Sequence, residues 1–273
     1  MATANSWYEA TRRYQVAADK PVGDMRVDVV VIGGGLTATS TALCLAEQGV
    51  DVALLEARHF GWGASGRSGG QIIVGYSCEQ PVLEKLVGLD SAKELWDHSL
   101  NALQYVHDSV ERHGIDCDLR RGYLHVGVRP KQARELEQWA ERMDSVYDFS
   151  VLDYHPREEL QTMLDSPLYA GGVSDPLSGH LHPLNYTLGL VNAAGAAGAR
   201  LFEEATVDRV TTQSGGMVVE TATSRIACDN VVYACNAYLD DLDPAISRTI
   251  MPVGSHIVAT EPLGENVARS LIG

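Results

Sequence analysis

The sequence predicts an α/β protein, α+β overall, in which a parallel sheet is interrupted by an inserted region. Three observations lead there. The β-branched run Asp28-Val29-Val30-Val31-Ile32 has the pattern of a strand buried on both faces. It runs straight into Gly33-Gly34-Gly35 and a helix-like stretch. A second buried run, Val50 to Leu55, then closes a βαβ unit over residues 27–56.

Residues 1–25 read as a polar arm. Leu36 to Gln48 reads as a helix ended by Gly49, and a glycine-rich loop follows from Gly61 to Gly75. Ser91 and Glu94 have capping-box spacing. Ala92, Leu95, Leu103, Val106 and Val110 then mark one apolar helix face, with Gly114 as its stop. Gly122 to Val128 alternates like a strand, and Pro130 opens a helix burying Leu136, Trp139, Ala140 and Met143. Leu168 to Val173 and Gly179 to Leu181 are short strand candidates. Pro183 begins an Ala/Gly-rich helix reaching Gly198, smooth enough to pack closely on a sheet. Strands are expected at Arg200–Glu203, Val207–Thr211, Met217–Thr221 and Asn230–Cys235. The expected organisation is therefore a nucleotide-binding domain from 26–78 and 183–248, with a second, substrate domain from 79–182 and 249–273.

Composition narrows the function. The chain has 273 residues, 45% hydrophobic and 21% charged, which suits a globular protein and excludes collagen-like and disordered classes. Lys plus Arg number 21 against 36 Asp plus Glu, a net charge of −15, which argues against nucleic acid as a partner. No apolar run reaches the ~18 residues of a membrane helix, and the polar N-terminus lacks a signal-peptide core, so a cytoplasmic location is expected. The five cysteines, Cys44, Cys78, Cys117, Cys228 and Cys235, are odd in number and lack C-x-x-C spacing, so neither a disulfide framework nor a metal site is indicated. Oligomeric state is not legible.

Gly33-Gly34-Gly35-Leu36-Thr37-Ala38 fits G-x-G-x-x-G/A between strand and helix. Gly33 permits the tight turn, Gly35 lets backbone approach a pyrophosphate, and Ala38 permits close helix–strand packing. Phosphates would meet the N–H groups and positive dipole end of the helix. Glu56 closes the second strand about twenty residues on, where an acid accepts ribose hydroxyls. Residues 61–71, Gly-Trp-Gly-Ala-Ser-Gly-Arg-Ser-Gly-Gly-Gln, leave room for a flat ring, with Ser65, Arg67, Ser68 and Gln71 as donors. That loop favours FAD; a nicotinamide-dependent oxidoreductase is the alternative, and a plain surface loop the simpler reading of the segment.

These residues resemble the FAD-dependent oxidoreductases of the D-amino-acid oxidase superfamily, most closely the gamma-glutamylputrescine oxidase-like branch. The matching stretches are Ser6 to Thr11, Val29 to Ser40, Leu55 to Ala57, Gly61 to Gln71, Gly179 to Leu190, Ala234 to Leu239 and Pro252 to Leu263. The family usually has glycine at Ala38 and asparagine at Ser68, and its members continue well beyond residue 273. The chain is thus expected to be an N-terminal fragment or truncated form, with a Rossmann-like FAD-binding domain and an incomplete substrate domain.

The resemblance implies that Gly33, Gly35 and Ala38 line the pyrophosphate and that Glu56 binds the adenosine ribose. It runs Ala64, Ser65, Gly66, Arg67, Gly69, Gly70 and Gln71 along pyrophosphate, ribityl chain and flavin, and has Val207 hold adenine through its backbone. The implied reaction oxidises a small-molecule amine to an imine and then an aldehyde, with oxygen as electron acceptor and hydrogen peroxide as product. His180 and His182 are the catalytic candidates, able to adjust an amine's protonation. The alternatives are that His182 caps the helix at Pro183 and that His180 packs at an interface. A non-catalytic remnant of an oxidase is also consistent with the length.

Overall fold

The computed structural model describes residues 6–271. In chain order its first elements are α1 (Trp7–Ala10), β1 (Gly23–Arg26), β2 (Val29–Ile32), α2 (Leu36–Glu47), β3 (Val52–Leu55) and β4 (Gln71–Ile72). Next come α3 (Gln80–Val87), α4 (Leu89–Arg112), β5 (Arg120–Gly127), α5 (Pro130–Tyr147), β6 (Asp153–Pro156), α6 (Arg157–Met163) and β7 (Gly171–His180). The last are α7 (Pro183–Ala196), β8 (Arg200–Phe202), β9 (Val207–Gln213), β10 (Gly216–Thr221), β11 (Ser224–Cys228), β12 (Asn230–Tyr233), α8 (Pro244–Ser247) and α9 (Glu265–Leu271). The chain forms two compact units. One contains the chain up to Gly70 with Ser109–Cys117 and His182–Ile257; the other contains Gln71–Asp108, Asp118–Leu181 and Val258 onward.

The first unit holds two sheets. One is parallel throughout, in the order β12-β2-β3-β8. Every residue of β2 and β3 is buried, as their unbroken apolar runs require. The other sheet, β1-β11-β10-β9, is antiparallel except where β1 runs alongside β11. Val30, Ile32, Ala53 and Leu55 share a core with Phe202, Val219, Ile226 and Cys228. Helix α2 packs against α7. The smooth face of α7 is needed locally, since a Cβ on Gly189 would stand 2.4 Å from the Ile115 side chain.

The N-terminal arm is corrected. Residues 1–5 lie outside the described residues, but from Ser6 onward the segment is built into the first unit. Gly23–Arg26 is a strand paired in parallel with Ser224–Cys228. Upstream, the Asp19 N–H bonds the Leu201 carbonyl and the Glu203 N–H bonds the Asp19 carbonyl. A short, largely exposed edge strand carries no hydrophobic period, because its ladder partner rather than its own side chains fixes it. Its partner β11 was also unpredicted, although its Ser224, Ile226 and Cys228 alternate inward.

In the second unit, β7 pairs with β4, β5 and β6. The two short strands expected at 168–173 and 179–181 are one strand, Gly171–His180, running through Pro176. Its buried Asp175 makes this possible. The carboxylate accepts the Leu177 and Ser178 backbone N–H groups at 2.8 and 3.2 Å and the Ser178 hydroxyl at 2.5 Å. Proline thus falls at an irregularity, where the pairing with β5 shifts register between Arg121 and Tyr123. The capping box at Ser91 is a second correction: the helix starts at Leu89, with the Ala92 N–H bonded to the Gly88 carbonyl. Gly88, at φ +84, breaks α3 from α4 three residues before that serine. Leu136, Ala140 and Met143 are buried on α5 as expected, whereas Trp139 is only partly buried. Among the described residues no helix is long and apolar enough to cross a membrane.

Candidate functional site

The site grows from the carboxyl ends of β2 and β3. Gly33 leaves β2 at φ +124, and an added Cβ there would lie 2.5 Å from the Ala234 carbonyl oxygen. The neighbouring strand β12 therefore closes over this turn, and only glycine fits. Gly35 is the N-cap of α2 and brings no capping side chain. Ser65 supplies one from the loop: its Oγ accepts the Leu36 N–H at 2.9 Å. A Cβ on Gly35 would stand 2.7 Å from that oxygen, and one on Gly34 would stand 2.6 Å from Glu56 Oε2. Ala38 is fully buried in the first turns of α2.

Glu56 follows β3 and turns back over the glycines. Its Oε1 accepts the Arg58 N–H at 2.8 Å, and the Gly34 N–H bonds the carboxylate too. Burial lifts this carboxyl above the ordinary carboxylate range against the pull of those two donors and of the Arg58 charge, and the Glu203 charge adds to the rise. Cys235 ends the run after β12 and donates its thiol to the Ile32 carbonyl at 3.4 Å. Burial, with Glu56 nearby, pushes that thiol up to about 11, so it stays protonated and unreactive near neutral pH.

The glycine-rich loop is a built structure rather than a slack one. The Gly61 N–H bonds the Gly34 carbonyl at 3.0 Å. Ala64–Gly66 forms a 3-10 turn, and a Cβ on buried Gly66 would lie 2.1 Å from the Gly61 carbonyl oxygen. Ala64 is exposed. Arg67 donates Nε to the Trp62 carbonyl at 2.8 Å, and its guanidinium lies 5.1 Å from the Trp62 ring, over which Arg58 also stands at 4.0 Å. Ser68 accepts the Gly70 N–H, Gly69 is exposed, and Gly70 takes φ +73. Gln71 lies in the second unit, opposite His180 in the ladder of β4 and β7. Val207 begins β9, an edge strand, opposite Thr221 where the pairing is bulged.

The two histidines have different surroundings. His180 ends β7 with its side chain exposed. His182 is buried and is the N-cap of α7: its Nδ1 accepts the Asn185 N–H at 3.1 Å, while Nε2 lies 2.9 Å from Thr11 Oγ1. Tyr8 stands edge-on to the ring at 5.0 Å. An accepting Nδ1 leaves the hydrogen on Nε2, so the ring is neutral and engaged on both sides.

The structure thus gathers Gly33, Gly35, Ala38, Glu56, Ser65 and Gly66 around one helix N-terminus. Sequence reasoning missed Gly34, whose missing side chain admits Glu56, and Glu203, whose carboxylate accepts the Phe60 N–H at 2.7 Å. The signal for Glu203 was its place directly after β8, at the carboxyl edge of the sheet where ligands of such folds bind.

A dinucleotide fits this arrangement. The first N–H groups of α2 face the glycine turn, the backbone there has no Cβ to obstruct a pyrophosphate, and a carboxylate stands at the next strand. Parallel strand, glycine turn, helix terminus and acid define a dinucleotide-binding α/β oxidoreductase fold. A family profile described as FAD dependent oxidoreductase (DAO) matches residues 28–272, and the chain belongs to that family. It is 39% identical over 249 residues to the probable oxidoreductase OrdL of Haemophilus influenzae, covering 90% of this chain and 58% of that protein. It is 36% identical to the gamma-glutamylputrescine oxidoreductase of Escherichia coli, covering 98% of this chain and 63% of the other. Among solved structures, glycine oxidase from Geobacillus kaustophilus superposes with a TM-score of 0.66 at 24% identity, over 81% of this chain and 58% of that one. The chain therefore spans about three fifths of the length of the curated relatives it matches. Family membership decides between flavin and nicotinamide in favour of FAD.

Proposed function

We propose that this chain carries the FAD-binding part of an amine oxidoreductase whose substrate is a primary amine of the gamma-glutamylputrescine kind or a related amino compound. The observation that carries the cofactor reading is the Ser65–Leu36 contact. A hydroxyl from the glycine-rich loop occupies the helix N-terminus that the glycine turn leaves open, which ties the loop and the phosphate-binding turn into one site. The substrate reading rests on likeness to the Escherichia coli protein over nearly the whole chain.

In this reading Gly33, Gly35 and Ala38 give the pyrophosphate its approach to the α2 N–H groups, and Glu56 accepts the adenosine ribose hydroxyls. Ala64 to Gly70 follow the cofactor toward its ring, and Val207 offers its backbone to adenine. FAD, when bound, supplies a two-electron acceptor for the C–H bond beside a substrate nitrogen, with oxygen as the final acceptor. His182 acts by holding residues 8–11 and the start of α7 together, and exposed His180 is the remaining candidate for adjusting the protonation of an amine.

The test is the visible spectrum of the chain after incubation with FAD and removal of free cofactor. A retained flavin band supports the reading, and turnover of gamma-glutamylputrescine against other amines, followed as peroxide release, then tests the substrate. A colourless protein refutes cofactor binding by this chain.

A further inference from the structure

The register of two strands sets a pair of carboxylates side by side. Leu55 of β3 is paired with Phe202 of β8, so Glu56 and Glu203 leave the carboxyl ends of adjacent parallel strands together. Their side chains divide the backbone donors of the turn after β3. Glu56 takes the Arg58 N–H at 2.8 Å and Glu203 takes the Phe60 N–H at 2.7 Å. Main chain closes the same turn, with the Glu204 N–H on the Arg58 carbonyl and the Gly61 N–H on the Gly34 carbonyl, both at 3.0 Å. Phe60 is 1% exposed and anchors the turn in the core, and the Glu203 carboxylate keeps its backbone N–H bonded.

We propose that Glu203 is a positioning residue of the nucleotide site: it fixes the 57–61 turn through the Phe60 N–H and holds a second negative charge beside Glu56, which makes retention of the adenosine ribose of FAD sensitive to acid. The inference rests on the FAD reading above. The groups acting on Glu56 are the Gly34 and Arg58 N–H groups and the Arg58 guanidinium, which favour its ionised form, and Glu203, which opposes it; the neighbouring Cys235 is an uncharged thiol near neutral pH. Burial is the largest influence and also favours the protonated acid. Ribose hydroxyls donate more strongly to a carboxylate than to a carboxylic acid. FAD therefore binds best to ionised Glu56, and affinity falls as pH drops through the raised Glu56 range, by up to about tenfold per pH unit. Removing the Glu203 charge moves that fall to lower pH.

The experiment titrates FAD into the full chain between about pH 4 and pH 8, a range that brackets carboxylate titration, and follows quenching of flavin fluorescence. It compares wild type, Glu203→Gln and Glu203→Ala, with far-UV circular dichroism confirming the fold of each. Glu203→Gln keeps an acceptor for the Phe60 N–H, and its affinity is expected to break at lower pH than wild type. Glu203→Ala removes both charge and acceptor. It is expected to weaken binding about tenfold across the range and to speed amide exchange at Phe60 in the cofactor-free chain, whereas Glu203→Gln leaves that amide protected. A Glu203→Gln profile superimposed on wild type, or full affinity in Glu203→Ala, overturns the proposal and leaves the FAD site standing. Absence of FAD binding by wild type overturns the cofactor reading, and the role of Glu203 toward the nucleotide with it.

Discussion

The Ser65 hydroxyl oxygen caps the Leu36 backbone N–H at 2.9 Å, across a sequence separation of 29 residues. The helix could not supply this acceptor itself, because its N-cap position is Gly35 and a side chain there would strike the same serine. Ser65→Ala should cost about 1 kcal/mol, as the loss of a helix cap does, and lower the melting temperature by a few degrees. Gly35→Asp should abolish flavin retention, since it places an anion where a pyrophosphate is to bind. Unchanged visible flavin absorption in that variant would remove the assigned site.

His182 is expected to matter for stability first. His182→Ala removes the cap on the Asn185 N–H and the bond to Thr11, at a cost of about 1–2 kcal/mol in urea denaturation. His182→Asn can still cap the helix and should recover about half of that loss. Limited proteolysis should cut His182→Ala sooner within residues 6–20; equal cutting in wild type and variant would mean that the ring does not hold this segment.

Glu84 provides a pH test in the second unit. It accepts Arg142 Nε and Nη2 at 3.1 and 2.5 Å and the Tyr147 hydroxyl at 2.9 Å. The Arg142 bonds hold its carboxyl below the ordinary range, against a smaller opposing effect of burial. A depressed acid stabilises the fold above its unfolded value and loses that contribution as pH falls through its folded one. Wild type should therefore lose urea resistance below about pH 4, and Glu84→Gln should show a flatter dependence there with lower stability at neutral pH. Parallel curves for the two proteins would exclude the assignment.

Thiol labelling offers a fourth check. Cys44 is exposed, whereas Cys235 is held protonated with a value near 11. At neutral pH a thiolate-selective reagent should modify Cys44 well before Cys235, as read by mass spectrometry of peptides. Early modification of Cys235 would contradict its half-buried, hydrogen-bonded placement.

The nucleotide turn was legible because its signals are local. Val29 to Ile32, the glycines and Glu56 lie within one βαβ unit and each reports its own conformation. The long helices of the inserted region were legible through their apolar period. Elements fixed by distant partners were not. Gly23–Arg26 is a strand because Ser224–Cys228 pairs with it, and β7 survives Pro176 because Asp175 satisfies the displaced donors. Glu203 escaped notice for a related reason: its meaning comes from the register of β8 against β3.

The parallel sheet also has a history during synthesis. Strands β2 and β3 with the glycine turn between them emerge before their partners, since Gly33 is closed over by Ala234 and the flanking strands β8 and β12 are made roughly 150 to 200 residues later. Until then a translating ribosome would display β2 and β3 as two bare, wholly apolar strand edges. Closure of such a sheet is slow, because long-range parallel pairing carries a large loop-closure cost, and its open edges invite aggregation in the interval.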